Sequence, residues 1–418
     1  MRVVKFGGSS VADVARLRHV ARLVARLRGQ GPLAVVVSAM AGVTDALIGV
    51  GRSAIAGDLR LPELLDAVAW RHAEGWVALA GGAPGEFERQ WAALTQDAQT
   101  LVRRGAGLGD SARERLIADF SGWGERLAVG LLAAALGEVG LVAEAFPDAP
   151  VALRGAADAE GEPEPSALAT RAWLAPRLAM LALRGGVPVL PGYIARDAAG
   201  ALTTLGRNGS DHSAAVIAAA LGAESLTIYS DVPGMLTADP RVAADAALLP
   251  VLTHDEARRM ATLGARALHP ATIEPVARWG IPLALQAAAT PDAPGTEIIP
   301  SSAAWGRARA GAWVVAARSL AGQPTGDVAA LVEVTAMLLP AWPLVSADVP
   351  RRELTAALAS LPFGAMDAHE TADGARVVAL AEHAETITRA LHTALRASQL
   401  KRSRVLPRSR PAPLATGA

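Results

Sequence analysis

The chain has 418 residues, with 40 Lys+Arg against 40 Asp+Glu and no cysteine. That length suggests two or three domains; the balanced charge argues against nucleic acid or an anionic membrane as partner, and the lack of thiols excludes disulfides, thiolate catalysis and cysteine metal sites. No stretch approaches the ~20 apolar residues of a membrane span, and the first ten residues lack a signal-peptide pattern, so a soluble cytoplasmic protein is expected.

Residues 2–6 read as a short strand and Gly7-Gly8-Ser9-Ser10 as the loop after it. Within that strand, Lys5 stands out because the only other lysine is Lys401, arginine supplying the remaining basic residues. Lysine is a compact point charge that fits a single phosphoryl oxygen, whereas arginine is a planar fork. Lys5 is therefore a candidate for chemistry that arginine could not perform, with accidental survival as the alternative.

From residue 13 to about 28, apolar positions recur at three and four, as in an amphipathic helix, and 33–38 is an apolar strand followed by a loop over 39–45. Strand, helix and strand make a right-handed crossover unit whose two small-residue loops share the carboxyl edge of a sheet, where open α/β folds bind ligands. Residues 58–104 look helical throughout, with Trp70, Trp76 and Trp91 as packing residues; Arg71 and His72 could reach a site, although a partly exposed helical pair is the commoner explanation. Glu125 falls in the first turn of the next helix, where a carboxylate suits the helix dipole and also a ligand. Residues 150–165 read as a loop or flap, 187–191 as a buried strand and 194–202 as a hairpin.

Residues 205–213 form a polar, glycine-bearing loop that opens an alanine-rich helix ended by Gly222. Such a loop places unpaired N–H groups at the positive end of a helix dipole and favours anions, although an ordinary turn uses the same residues. Asn208 within it is the only asparagine of the chain. A strand over 225–229, helices over 255–263 and up to 279, and a strand over 282–285 carry the first domain to about residue 300. Beyond it, strands over 328–339 and 376–381 and helices over 351–361 and 384–396 suggest a small α+β domain to residue 399, and 400–418 is expected to be a disordered tail.

Neither the G-x-G-x-x-G nor the G-x-x-x-x-G-K-[ST] fingerprint stands in a strand-to-helix setting. The ordered set does more. Lys5-Phe6-Gly7-Gly8-Ser9-Ser10, Val37-Ser38-Ala39-Met40-Ala41-Gly42-Val43-Thr44, Gly124-Glu125-Arg126-Leu127, Gly206-Arg207-Asn208-Gly209-Ser210-Asp211, Ser230-Asp231-Val232-Pro233-Gly234, Thr237-Ala238-Asp239-Pro240-Arg241 and Leu268-His269-Pro270 occur in this order. Over residues 1–300 the chain resembles the aspartate kinases of the amino acid kinase superfamily.

The resemblance implies an α/β three-layer sandwich with a mainly parallel central sheet, followed by a degenerate ACT-like regulatory domain. It implies transfer of a phosphoryl group from ATP, with Mg2+, to the side-chain carboxylate of L-aspartate, in an expected homo-oligomer. By the same resemblance Lys5 and Asp211 are the catalytic pair, and Ser38, Thr44, Glu125, Arg207 and Ser210 bind aspartate. Gly7, Gly8, Ser9, Gly209, Ser230, Asp231, Asp239, Arg241 and Arg266 fall at phosphate or nucleotide positions, and no protein side chain is expected to ligate the metal. The sequence departs from the family at Arg266, where lysine is usual, at Leu236, where an aromatic often flanks the base, and around Gln286, where a basic residue and an asparagine are missing. A kinase for another amino acid and a catalytically weakened regulatory subunit are the alternatives.

Overall fold

The computed structural model describes residues 1–79, 85–105, 107–148, 151–157, 163–197, 200, 202–206, 208–304, 312–319, 331–339, 358–359, 367–371 and 374–403. The chain divides into two compact units, one comprising Met1–Met235, Pro250–Arg258 and Ala267–Ser301, the other Leu236–Leu249, Arg259–Arg266 and Ser302–Ala418. Two stretches that lie before residue 300, Leu236–Leu249 and Arg259–Arg266, thus group with the C-terminal part.

In the first unit β1 (Arg2–Phe6), α1 (Val14–Arg28) and β2 (Leu33–Val37) form the crossover read from sequence. There follow α2 (Val43–Ala56), α3 (Leu61–Ala78), α4 (Glu86–Gly105), α5 (Asp110–Ser121), α6 (Trp123–Glu138), β3 (Ala143–Ala145), β4 (Val151–Ala157) and β5 (Pro163–Pro165). Next come α7 (Ala167–Leu183), β6 (Val187–Pro191), β7 (Ile194–Arg196), β8 (Leu202–Thr204), α8 (Gly209–Leu221), β9 (Leu226–Ser230), β10 (Val251–Thr253), α9 (His254–Thr262, its residues from Arg259 grouping with the second unit), α10 (Pro270–Arg278), β11 (Leu283–Ala287) and β12 (Thr296–Ile299). One sheet runs β10-β12-β11-β9-β1-β2-β6-β3. It is parallel from β11 to β3, while β12 pairs antiparallel with β11 and parallel with β10.

Strand alternation divides the work of β1. Val4 and Phe6 enter a core with Val35 and Val37 of β2, Leu17, Val20 and Val24 of α1, and the apolar face of α6. Lys5 points the other way, to α8, which packs over β1 and β2 between α7 and α10. Helices therefore cover both faces of a mainly parallel sheet, as expected. α1 begins where the Asp13 carboxylate accepts from the Arg16 amide at 2.8 Å, and α8 ends at left-handed Gly222.

Several local readings need correction. Residues 58–104 hold two helices, α3 starting at Leu61 with Pro62 in its first turn and α4 at Glu86. Trp70 is 73% exposed, while His72 is fully buried. The flap over 150–165 contains strands: β4 pairs antiparallel with β5 and parallel with β7, giving a second sheet β5-β4-β7-β8.

The second unit has an antiparallel sheet ordered β13-β14-β16-β15, from β13 (Ala312–Ser319), β14 (Leu331–Leu339), β15 (Asp367–Thr371) and β16 (Gly374–Leu380). Helix α11 (Ala384–Ser403) packs on it through Ile387, Leu391 and Leu395, against Val315, Val334 and Val377. The helix continues past residue 400 to Ser403, so the first four residues of the expected tail are ordered into it. The helix read over 351–361 lies outside the described residues except for 358–359, which are helical. Among the described residues no helix is long and apolar enough to cross a membrane.

Candidate active site

Lys5 sits near the carboxyl end of the central strand, opposite Val36 of β2 and Ile228 of β9. Its Nζ lies 2.6 Å from Oδ1 of Asp211 in the first turn of α8, with the two side chains 8% and 18% exposed. At that degree of shielding the pair fixes the ammonium in one direction instead of letting it sweep through solvent. His212 beside it adds no charge, because burial lowers its pKa to about 4. A would-be Cβ on Gly7 lies 3.5 Å from Nζ, so the missing side chain keeps open the space in front of the ammonium.

Glu125 approaches the same place from α6. It is 2% exposed, and burial pushes its carboxyl up to about 8 against the hydrogen bond from the Ala39 amide, its own amide, the charge of Lys5 and the Ser210 hydroxyl. Its Oε2 has no hydrogen-bond partner among the described residues. A buried acid with a vacant oxygen is poised to receive a cationic group, which would restore its ionised form. Ser210 Oγ also stands 3.1 Å from Ser38 Oγ at the end of β2. Gly192 permits this arrangement, since a Cβ there would lie 2.6 Å from that of Ser210. The strand-to-helix turn of α8 is held by Asn208 in the left-handed region, at φ 57°.

The two small-residue loops are interlocked. The Ala41 amide donates to the Gly8 carbonyl at 3.1 Å, the Ser38 amide to the Phe6 carbonyl at 3.1 Å, and a Cβ on Gly8 would come within 2.6 Å of the Ala39 carbonyl. Gly8 and Ser9 open a short 3-10 turn, and their amides have no hydrogen-bond acceptor among the described residues. Two amides assigned to phosphate from the sequence are already engaged, however: Gly7 donates to the Tyr229 carbonyl at 3.2 Å and Gly209 to the Gly206 carbonyl at 3.1 Å. The free donors are thus those at the start of the turn, where a helical segment leaves its first N–H groups unpaired.

Residues 1–285 match the amino acid kinase family. The chain belongs to the amino acid kinase family. Lysine-sensitive aspartokinase 3 of Escherichia coli is 34% identical over 296 residues, 70% of this chain and 63% of the relative. The bifunctional aspartokinase/homoserine dehydrogenase 2 of the same organism is 35% identical over 297 residues, 70% of this chain and 35% of the relative. The chain therefore spans less than two thirds of the length of these relatives. The crystal structure of E. coli aspartokinase III in complex with aspartate and ADP superimposes with a TM-score of 0.75 at 25% identity, covering 94% of this chain and 99% of that one.

Other residues singled out from the sequence are spread more widely. Thr44 is half-buried in the first turn of α2, after left-handed Gly42. Ser230 ends β9, its hydroxyl accepting from the Val232 amide at 3.1 Å and donating to exposed Asp231 at 3.2 Å. Asp239 and Arg241 belong to the second unit and pair with each other at 2.6 Å, which holds the Asp239 carboxyl below the usual range. Arg266, also in the second unit, is exposed. Arg207 lies outside the described residues. Gly192 escaped sequence reasoning, because it acts through a contact with the distant Ser210.

A cavity of about 860 Å³ between α4, α5, the start of α6 and the β7-β8 hairpin contains none of these site residues. Two of its polar groups are engaged with the protein: Asp97 accepts from the Trp123 indole at 2.8 Å, and Arg126 pairs with Asp148 at 2.9 Å while stacking on Trp123.

Proposed function

We propose that this chain transfers the γ-phosphoryl group of ATP to the side-chain carboxylate of L-aspartate, giving 4-phospho-L-aspartate. This is the first step of the route to lysine, threonine and methionine, in the cytoplasm. The observation that carries the reading is the meeting of the Lys5–Asp211 pair with buried Glu125 beside unpaired loop amides. That constellation offers one compact cation for a phosphoryl group and one anion for an amino group. The relatives are aspartokinases, and one was crystallised with aspartate and ADP.

The acceptor carboxylate, with an unperturbed pKa of about 3.9, is ionised at neutral pH, so no general base is needed. One of its oxygens attacks the γ-phosphorus, the new O–P bond forms as the bridging bond to ADP breaks, and negative charge spreads over the transferring group. Lys5, oriented by Asp211, neutralises that charge, and the Gly8 and Ser9 amides donate to phosphate oxygens. Glu125 receives the substrate ammonium, while Ser38, Ser210, Thr44 and Arg207 hold the carboxylates, Arg207 as a bidentate clamp. Ser230 and Asp231 contribute to nucleotide binding. Asp211 is spent on Lys5, and no group of three acidic or histidine side chains that could hold a metal occurs among the described residues. Mg2+ accompanying ATP would supply charge neutralisation, held through phosphate oxygens and waters. The second unit serves as an ACT-like module, in a homo-oligomer.

A coupled assay of ADP release tests the reading. Turnover is expected with L-aspartate and not with L-glutamate. Glutamate turnover would replace the substrate, and nucleotide binding without turnover on either would favour a regulatory subunit.

A further inference from the structure

Arg71 of α3 lies outside the residues assigned above, yet its guanidinium holds both loops that carry them. One Nη donates to the Ala41 carbonyl at 2.9 Å and the other to the Ala12 carbonyl at 3.4 Å, 30 and 59 residues away in the chain. The first carbonyl belongs to the loop after β2, the second to the segment that follows the turn after β1. On their inner side these loops meet through the Gly8 carbonyl and the Ala41 amide. Arg71 closes the outer side. Gly42, left-handed at φ 78°, adjoins it: a Cβ there would lie 3.8 Å from the guanidinium, in ordinary contact.

The helix beneath is a firm mount. His72 is fully buried with Nδ1 2.8 Å from the Val68 carbonyl, and Gly75 lets Leu131 of α6 come so close that a Cβ would stand 3.0 Å from it. Everything the two loops carry is thereby referred to one frame: the Gly8 and Ser9 amides, Ser38, Thr44, and the Ala39 amide that bonds Glu125. A planar fork spans two carbonyls with charge-assisted bonds; a lysine, with one ammonium, has no such fixed two-pronged geometry.

We propose that Arg71 is a positioning residue for phosphoryl transfer, setting the distance between the phosphate-binding turn after β1 and the amino-acid-binding loop after β2. The proposal rests on the kinase reading above. It also makes a claim about loop order that can be measured without turnover.

The test uses the full chain carrying Arg71→Ala or Arg71→Lys. Misplacement of the two loops is expected to lower kcat about 10- to 100-fold in Arg71→Ala, with smaller changes in the KM values and little change in Tm. Arg71→Lys recovers only part of the loss, and added guanidinium ion raises kcat of Arg71→Ala without raising that of the wild type. Hydrogen–deuterium exchange of peptides covering 7–13 and 39–43 accelerates in both variants, while β6 is unchanged. Wild-type kcat in Arg71→Ala with unaltered exchange overturns the proposal. So does a loss of kcat that tracks a general fall in Tm and is not rescued by guanidinium. Should the wild type itself fail to phosphorylate aspartate, the kinase reading fails, and the exchange data still decide whether Arg71 orders the loops.

Discussion

Replacing Glu125 by glutamine removes the titration of the most deeply buried acid at the site while keeping its volume. The carboxyl ionises from about 4.5 when exposed and from about 8 in the folded protein. Between those pH values the unfolded chain holds it charged and the folded chain holds it protonated. The wild type therefore loses stability relative to Glu125→Gln as pH rises from 4.5 to 8, and the difference is constant above that. At 1.36 kcal/mol per pH unit the ceiling is about 5 kcal/mol, or up to about 10 °C in Tm for a unit of this size. Thermal unfolding of both proteins between pH 4.5 and 9 measures it. Saturating L-aspartate supplies an ammonium beside the vacant Oε2 and should raise the Tm of the wild type above pH 7, with little effect on the variant. Parallel Tm profiles, or equal stabilisation of both proteins by aspartate, would refute the assignment of Glu125 as the buried receptor of the amino group.

Lys5→Arg keeps the charge but not the shape, and turnover should fall by about 10²–10³-fold while isothermal titration shows aspartate still binding; retained kcat removes Lys5 from its role. Gly192→Ala brings a methyl to 2.6 Å from Ser210 Cβ, so aspartate KM should rise about tenfold, ~1.4 kcal/mol, with ATP KM steady in the same assay. Gly8→Ala collides with the Ala39 carbonyl at 2.6 Å and should cost about 1–3 kcal/mol of stability by denaturant titration, with kcat lowered as the turn moves.

The sequence disclosed most where periodicity was strong and composition unusual. β1, α1, β2 and β6 follow from apolar patterning, and Lys5 is conspicuous because arginine replaces lysine elsewhere. α2 was unreadable because Gly49 and Gly51 sit inside it, and Gly51 is required by Ile117, which a Cβ would approach to 3.1 Å. α7 was hidden by Pro176 in its interior. The strands of the 150–165 segment carry Gly and Pro that mimic a loop, and only pairing with β7 makes them a sheet. Arg71 could be marked from sequence as a residue able to reach a site, but its two carbonyl partners could not be named, since they are adjacent only after folding. The engaged amides of Gly7 and Gly209 were equally invisible, as a motif names residues and not the acceptors that their N–H groups have already found.

The mounting of Lys5 on the innermost strand has a practical consequence. That strand is clamped by neighbours on both edges, so the ammonium cannot be relocated by exchanging loops, whereas Ser38, Thr44 and Glu125 stand at strand and helix ends on the rim. On the proposed reading, efforts to retarget the chain to a new acceptor should therefore redesign the rim and leave the strand untouched, because the strand fixes the ammonium while the rim side chains face the amino acid.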